Sequence, residues 1–128
     1  MVMVQSTSNM AERVAQAALA FQQQLTGRKP KSVSVVMCGD ALVLTLHGAL
    51  SPAEQAEAHS PMAAKAQELY RQLFLANSEM LRQEIKRITG LVVLENAAEV
   101  LLTSGTMVQV FLLSGKVPSE GFDGESTT

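Results

Sequence analysis

Twice in this chain an amphipathic stretch closes on Thr-Gly and is followed by two strand-like runs. The first pass is 10–25, then Thr26-Gly27, then 33–37 and 42–46. The second is 62–88, then Thr89-Gly90, then 91–102 and 107–113. An αββ unit hides only one face of its sheet, so a pair of units can close a single core. The expected fold is α+β: two αββ units forming a mainly antiparallel four-stranded sheet packed on one short and one long helix. A length of 128 residues suits one domain with a real core. The expected division is a flexible N-terminus over 1–9, a single αββααββ domain over 10–113, and a disordered acidic tail over 114–128. The tail reading rests on its Gly, Ser and Glu content.

Local signals place the elements. Asn9 with Glu12 resembles a capping box, and Val14, Ala17, Ala18, Phe21 and Leu25 follow at helical spacing. Gln16, Gln22 and Gln23 fall largely on the other side. Gly27 suits the left-handed geometry after a helix end, and Pro30 favours extended chain before the first strand. Gly39-Asp40 is a two-residue turn signal between alternating runs. Taking it as the loop sets Met37 opposite Leu42, Val35 opposite Leu44 and Val33 opposite Leu46, all on one face. Val36, Val43, Ser34, Thr45 and His47 fall on the other face, and a one-residue slip would turn the apolar set outward.

Ser51-Pro52-Ala53-Glu54 is a helix start, with a cap, a first-turn proline and a glutamate three residues on. Ser60-Pro61 ends that short helix and opens the next. Residues 61–89 read as one helix with a stripe of Leu69, Leu73, Asn77, Leu81, Ile85 and Ile88, widened by Ala66, Tyr70 and Phe74. Such a helix would be about 40 Å long at ~1.5 Å per residue. A four-stranded sheet is only about 19 Å wide at ~4.8 Å per strand. Either the helix bends near Asn77-Ser78, or its free end meets another subunit. Ser104-Gly105 reads as the last turn. The strand after it places Val108, Val110 and Leu112 on one face, yet Met107, Phe111 and Leu113 make the other face apolar too. Such a strand is central in the sheet or covered by a partner.

Reactive groups are few. Cys38 is the sole cysteine, which rules out an intrachain disulfide and fits a cytosolic location. In the register above, Cys38 and His47 stand about 20 Å apart at ~3.4 Å per residue, beyond the reach of a nucleophile–base pair. His59 is expected at an exposed helix terminus. Two histidines and one cysteine, far apart in sequence, give no zinc spacing. Phosphate-cradling glycine motifs are absent. No catalytic residue, metal or cofactor is expected. No secretory signal is visible in 1–10 and no run approaches a membrane span, so any membrane connection would run through a partner.

A net charge of −2 argues against a dedicated nucleic-acid binder. Two cationic groups still stand out: Arg28, Lys29 and Lys31 after the first helix, and Lys86 and Arg87 at the end of the second. If the two units run alike, both groups share one end of the sheet and could form an anion site. The plainer role is to offset the helix macrodipole.

Several segments together resemble the MpsC family. They are Pro30-Lys31-Ser32-Val33 entering the hairpin and Leu46-His47-Gly48-Ala49-Leu50-Ser51-Pro52-Ala53-Glu54 leaving it. Arg71-Gln72-Leu73-Phe74, Ile85-Lys86-Arg87-Ile88-Thr89-Gly90 and Gly105-Thr106-Met107-Val108-Gln109-Val110-Phe111 follow. Lys29 stands where family members often have a second glycine. The resemblance covers about 10–113. It implies association with a sodium-translocating, membrane-potential-generating system, whose membrane subunit resembles ion-pumping antiporters and which is linked to inorganic-carbon uptake. It supplies no catalytic residues.

The expectation is therefore a non-enzymatic, cytosolic accessory module that binds protein chains, itself included, with a homodimer favoured. Its other expected partners are subunits of a membrane ion or bicarbonate transport system. Tyr70, Phe74, Asn77 and Leu81 are the expected contact residues. The alternative is a small-anion or nucleic-acid binding module using Arg28, Lys29, Lys31, Lys86 and Arg87.

Overall fold

A computed structural model describes residues 9–117; all but Asn9 of the expected N-terminal lead-in, and most of the expected acidic tail, lie outside them. The elements run α1 (Asn9–Thr26), β1 (Ser32–Cys38), β2 (Ala41–His47), α2 (Pro52–Gln55), a 3-10 turn (Ala56–His59), α3 (Ala63–Ala76), α4 (Glu79–Thr89), β3 (Val93–Leu101) and β4 (Thr106–Leu113). The strands form one four-stranded antiparallel sheet in the order β1-β2-β4-β3. The fold is α+β.

The first hairpin has the register that its turn and alternation require. Met37 faces Leu42, Val35 faces Leu44 and Val33 faces Leu46. Val33, Val35, Leu42, Leu44 and Leu46 are buried under the helices. β4 is a central strand, paired with β2 on one side and β3 on the other. Its inward side, Met107, Gln109, Phe111 and Leu113, is buried.

The two units do not run alike. With the order β1-β2-β4-β3 and every neighbour antiparallel, β1 and β3 point in opposite directions. A local two-fold axis, normal to the sheet and passing between β2 and β4, carries one hairpin onto the other. The helix ends that feed them match closely. Thr26 Oγ1 donates to the Gln22 carbonyl at 2.9 Å and accepts the Arg28 amide at 3.1 Å. Thr89 Oγ1 donates to the Ile85 carbonyl at 2.7 Å and accepts the Leu91 amide at 3.1 Å. Gly27 and Gly90 share a φ of 77°, a left-handed conformation that glycine adopts without a Cβ penalty.

The expected long helix is divided. α3 ends at Ala76, and Asn77 and Ser78 separate it from α4. The break has a side-chain origin, since Asn77 Nδ2 donates to the Leu73 carbonyl at 2.8 Å and Ser78 Oγ donates to the Leu75 carbonyl at 3.1 Å. Both residues compete with backbone bonding in this way, which disfavours helix interiors. The buried line is Phe74, Ser78, Leu81, Ile85 and Ile88, whereas Leu69 is 65% and Leu73 43% exposed. α3 carries two apolar rows one residue apart. The inner one wins because Phe74 fits edge-on between Phe21 and Phe111, with ring centroids at 5.9 and 6.4 Å.

Two further expectations change. Gln22 lies on the buried side of α1, 1% exposed, spaced four residues from Ala18 and so on the same helical face. The ordered domain continues past 113: Ser114 donates its amide to the Val92 carbonyl at 2.9 Å, its hydroxyl accepts the Val92 amide at 3.0 Å, and Val117 is buried.

Candidate functional site

Among the described residues, the helices cover one face of the sheet and leave the other open. The strand registers arrange the other face in rows running straight across it. The rows are Cys38–Ala41–Leu112–Glu95, Val36–Val43–Val110–Ala97 and Ser34–Thr45–Val108–Glu99. Val36 is 49% exposed, and Val110 and Leu112 are 37% exposed. Apart from Leu112 the uncharged side chains are small or β-branched, and the only carboxylates in the rows, Glu95 and Glu99, sit on the β3 edge. An apolar face of this kind, rimmed by charge on one side, is the mark of an interaction surface.

Two of the concavities in the helical layer lie against α1. A groove of about 590 Å³ runs between α1 and α4, floored by Ala17, Ala20, Phe21, Leu81 and Ile88. Alanines on α1 leave it open. Its rim carries Glu12, Arg13, Glu84 and Arg87. Glu84 is held below its ordinary value mainly by a hydrogen bond from Arg87, whose Nη2 lies 2.6 Å from Oε1. A smaller cleft of about 230 Å³ lies between the end of α1, the loop after β2 and α3, with Gln22, Glu54, Tyr70, Phe74 and Met107 among its walls. Burial pushes the Tyr70 phenol up, and the carboxylates of Glu54 and Glu57 push it further. Glu54 is fixed there by a capping box, accepting the Ser51 amide at 2.7 Å while its own amide donates to Ser51 Oγ at 3.2 Å. Beyond Tyr70, Met62 and Leu69 expose apolar surface along α3.

The expected contact residues divide. Tyr70 is half-buried and Asn77 exposed, so both can meet a partner. Phe74 and Leu81 are 0% and 1% exposed, so they hold the core and reach no partner. The expected anion site does not assemble. Arg28, Lys29 and Lys31 lie where β1 begins, and Lys86 and Arg87 lie where the chain turns toward β3. Because those strands are antiparallel, the two groups sit at opposite ends of the sheet. Arg87 is in addition paired with Glu84.

Cys38 and His47 occupy opposite ends of their hairpin, as Cys38 pairs with Ala41 and His47 with Ser32. Cys38, beside the turn, is exposed. His59 closes the 3-10 turn at the surface. No group of three or more potential metal ligands occurs among the described residues. Among them, too, no helix is long and apolar enough to cross a membrane.

The outer rows were half visible in the sequence, through Val36 and Val43 and through Val108, Val110 and Leu112. What joins them into one surface is the β2–β4 pairing, which leaves no local mark. Gln22 and Gln109 gave no sign either, and each has a buried Oε1 without a hydrogen-bond partner.

A family model described as Na+-translocating membrane potential-generating system (MpsC) matches residues 6–115. The chain belongs to the MpsC family. No curated protein and no solved structure matches it significantly. The MpsC match spans every helix and strand described above, from the start of α1 to the end of β4.

Proposed function

We propose that this chain is a non-enzymatic, cytosolic accessory module of a membrane-potential-generating system, working by attachment to other chains. The observation that carries this reading is the sheet face left open by the described residues, an apolar surface on which they place no polar cluster that could perform chemistry. The exposed apolar side chains of Leu69 and Leu73 on α3, with Met62 just before it, give a second place to dock on the opposite layer. A module with one free surface on each layer can bridge two neighbours. The family name supports the membrane-system part, since the chain itself would reach the bilayer only through a partner.

The test is affinity capture from native cells after gentle solubilisation, with partners identified by mass spectrometry. Recovery of an antiporter-like membrane subunit, together with a large soluble subunit, is the expected result. Loss of that recovery on Leu69→Glu, with the fold intact, would place the contact on α3. Isolation of the chain without either subunit, under conditions that keep the membrane complex whole, would remove the proposal.

A further inference from the structure

We propose that the cleft between the end of α1, the loop after β2 and α3 binds a small organic cation. The ligand carries an ammonium at the mouth of the cleft, an apolar body along its walls and a second hydrogen-bond donor at its inner end. This inference goes beyond the attachment role and does not depend on it.

The cleft has a buried side and an open one. Gln22, Phe74 and Met107, all buried, form its inner wall, while Glu54, the half-buried Tyr70 and the 43% exposed Leu73 stand toward solvent. Its volume is about 230 Å³. A dry cavity of about 150 Å³ holds one benzene, so this one takes a molecule of about nine or ten non-hydrogen atoms. A mostly apolar lining with a few polar groups at fixed places is the usual make-up of a small-molecule site.

The inner end calls for a donor. Gln22 is 1% exposed, and its Oε1 has no hydrogen-bond partner among the described residues. Leaving a buried acceptor unpaired is costly, and native structures seldom do so. Thr26, also in the wall, does not meet the need. Its Oγ1 donates to the Gln22 main-chain carbonyl at 2.9 Å and accepts the Arg28 amide at 3.1 Å. The molecule that fills the cleft must bring an N–H or O–H of its own.

The mouth calls for positive charge. Among the described residues, no lysine, arginine or histidine lines the cleft. Glu54 Oε1 accepts the Ser51 amide at 2.7 Å, which holds the carboxylate in place and leaves Oε2 for a ligand. The charges that act on the Tyr70 phenol are the carboxylates of Glu54 and Glu57, and together with burial they keep it protonated. A neutral phenol beside a fixed carboxylate favours an ammonium in two ways, by a charge-assisted hydrogen bond and by the electron-rich ring. An anionic ligand would meet like charge there and find no cation in the walls.

Tyramine has the required form, with an ammonium, a ring and a phenolic hydroxyl at the far end. NMR titration of the isotope-labelled full chain should show tyramine shifting the amides around Gln22, Leu50 and Tyr70, with a dissociation constant of about 1 mM or tighter. Phenethylamine, which lacks the hydroxyl, should bind about five-fold more weakly. Hydroxyphenylpropionate, with a carboxylate in place of the ammonium, should leave the spectrum unchanged. Glu54→Gln retains the capping box and should weaken tyramine at least about ten-fold. Gln22→Leu should erase the preference for tyramine over phenethylamine. A wild-type spectrum unmoved by about 10 mM tyramine overturns the proposal. So does equal binding of the carboxylate, which would mean apolar filling alone. Tyramine affinity indifferent to both substitutions would put the molecule elsewhere and overturn it too. A hydroxyl preference that survives Gln22→Leu overturns the inner contact.

Discussion

Asn96 Nδ2 donates to Ser78 Oγ at 3.2 Å, so a β3 side chain grips the hydroxyl at the point where α3 gives way to α4. Ser78 is buried, and its hydroxyl donates to the Leu75 carbonyl. Asn96→Ala should therefore destabilise the protein by about 1 kcal/mol, the usual net worth of such a bond. Denaturant unfolding of Asn96→Ala, Ser78→Ala and the double variant should give a coupling of roughly 0.5–1 kcal/mol. Strict additivity would mean that the break stands without this contact.

Phe74→Ala should be the most damaging single truncation in α3. Its ring fills the space between Phe21 and Phe111 with no exposure to solvent. Loss of a buried phenylalanine costs about 3–5 kcal/mol. Leu69→Ala, one turn away on the outer row, should change stability by less than about 0.5 kcal/mol. Equal effects in thermal unfolding would contradict the burial pattern.

Gln109→Leu should stabilise the chain. The residue is 0% exposed, and its Oε1 has no hydrogen-bond partner. Its Nε2 finds only the Met107 sulfur, at 3.3 Å. Removing an unsatisfied buried acceptor at nearly constant volume is expected to gain about 1 kcal/mol. A lower melting temperature for Gln109→Leu would count against that view of the site.

Tyr70 is the single tyrosine in a chain without tryptophan, so ultraviolet titration reads it alone. Its midpoint should lie above the ordinary value of 10.0, through burial first and the Glu54 and Glu57 carboxylates second. Glu54→Gln should bring it part of the way back. The folded state holds the phenolic proton more tightly than the unfolded chain does. Its contribution to stability is thus complete below the ordinary tyrosine value and is lost as pH rises through the folded one. A wild-type midpoint at or below that of the urea-unfolded chain would exclude the effect.

Local chemistry made much of this fold readable. Gly39-Asp40 between alternating runs fixed one register, so the inward set of β1 and β2 could be named residue by residue. The Thr-Gly ends marked the two units. What could not be read was direction: periodicity tells which side of a strand is apolar, not how one hairpin lies against another. That single unknown misplaced the basic clusters, since Lys86 and Arg87 meet Arg28 only if β1 and β3 run the same way. Two of the expected contact residues, Phe74 and Leu81, lie in the core for a related reason. Leu69 and Phe74 both belong to apolar rows, and only the ring pocket beside Phe111 decides which row turns inward. Gln22 escaped notice because polar type outweighed position.

The β2–β4 pairing joins residues about sixty to seventy positions apart, whereas each hairpin closes over a turn of a few residues. Local turns form on microsecond timescales, while closing a long loop carries an entropic penalty before any contact repays it. The slow event in folding is then the docking of two preformed hairpins along that seam. Substitutions at Val43 or Val110 should slow refolding, and so should those near Gly39 or Gly105, whose turns are already formed when the hairpins dock.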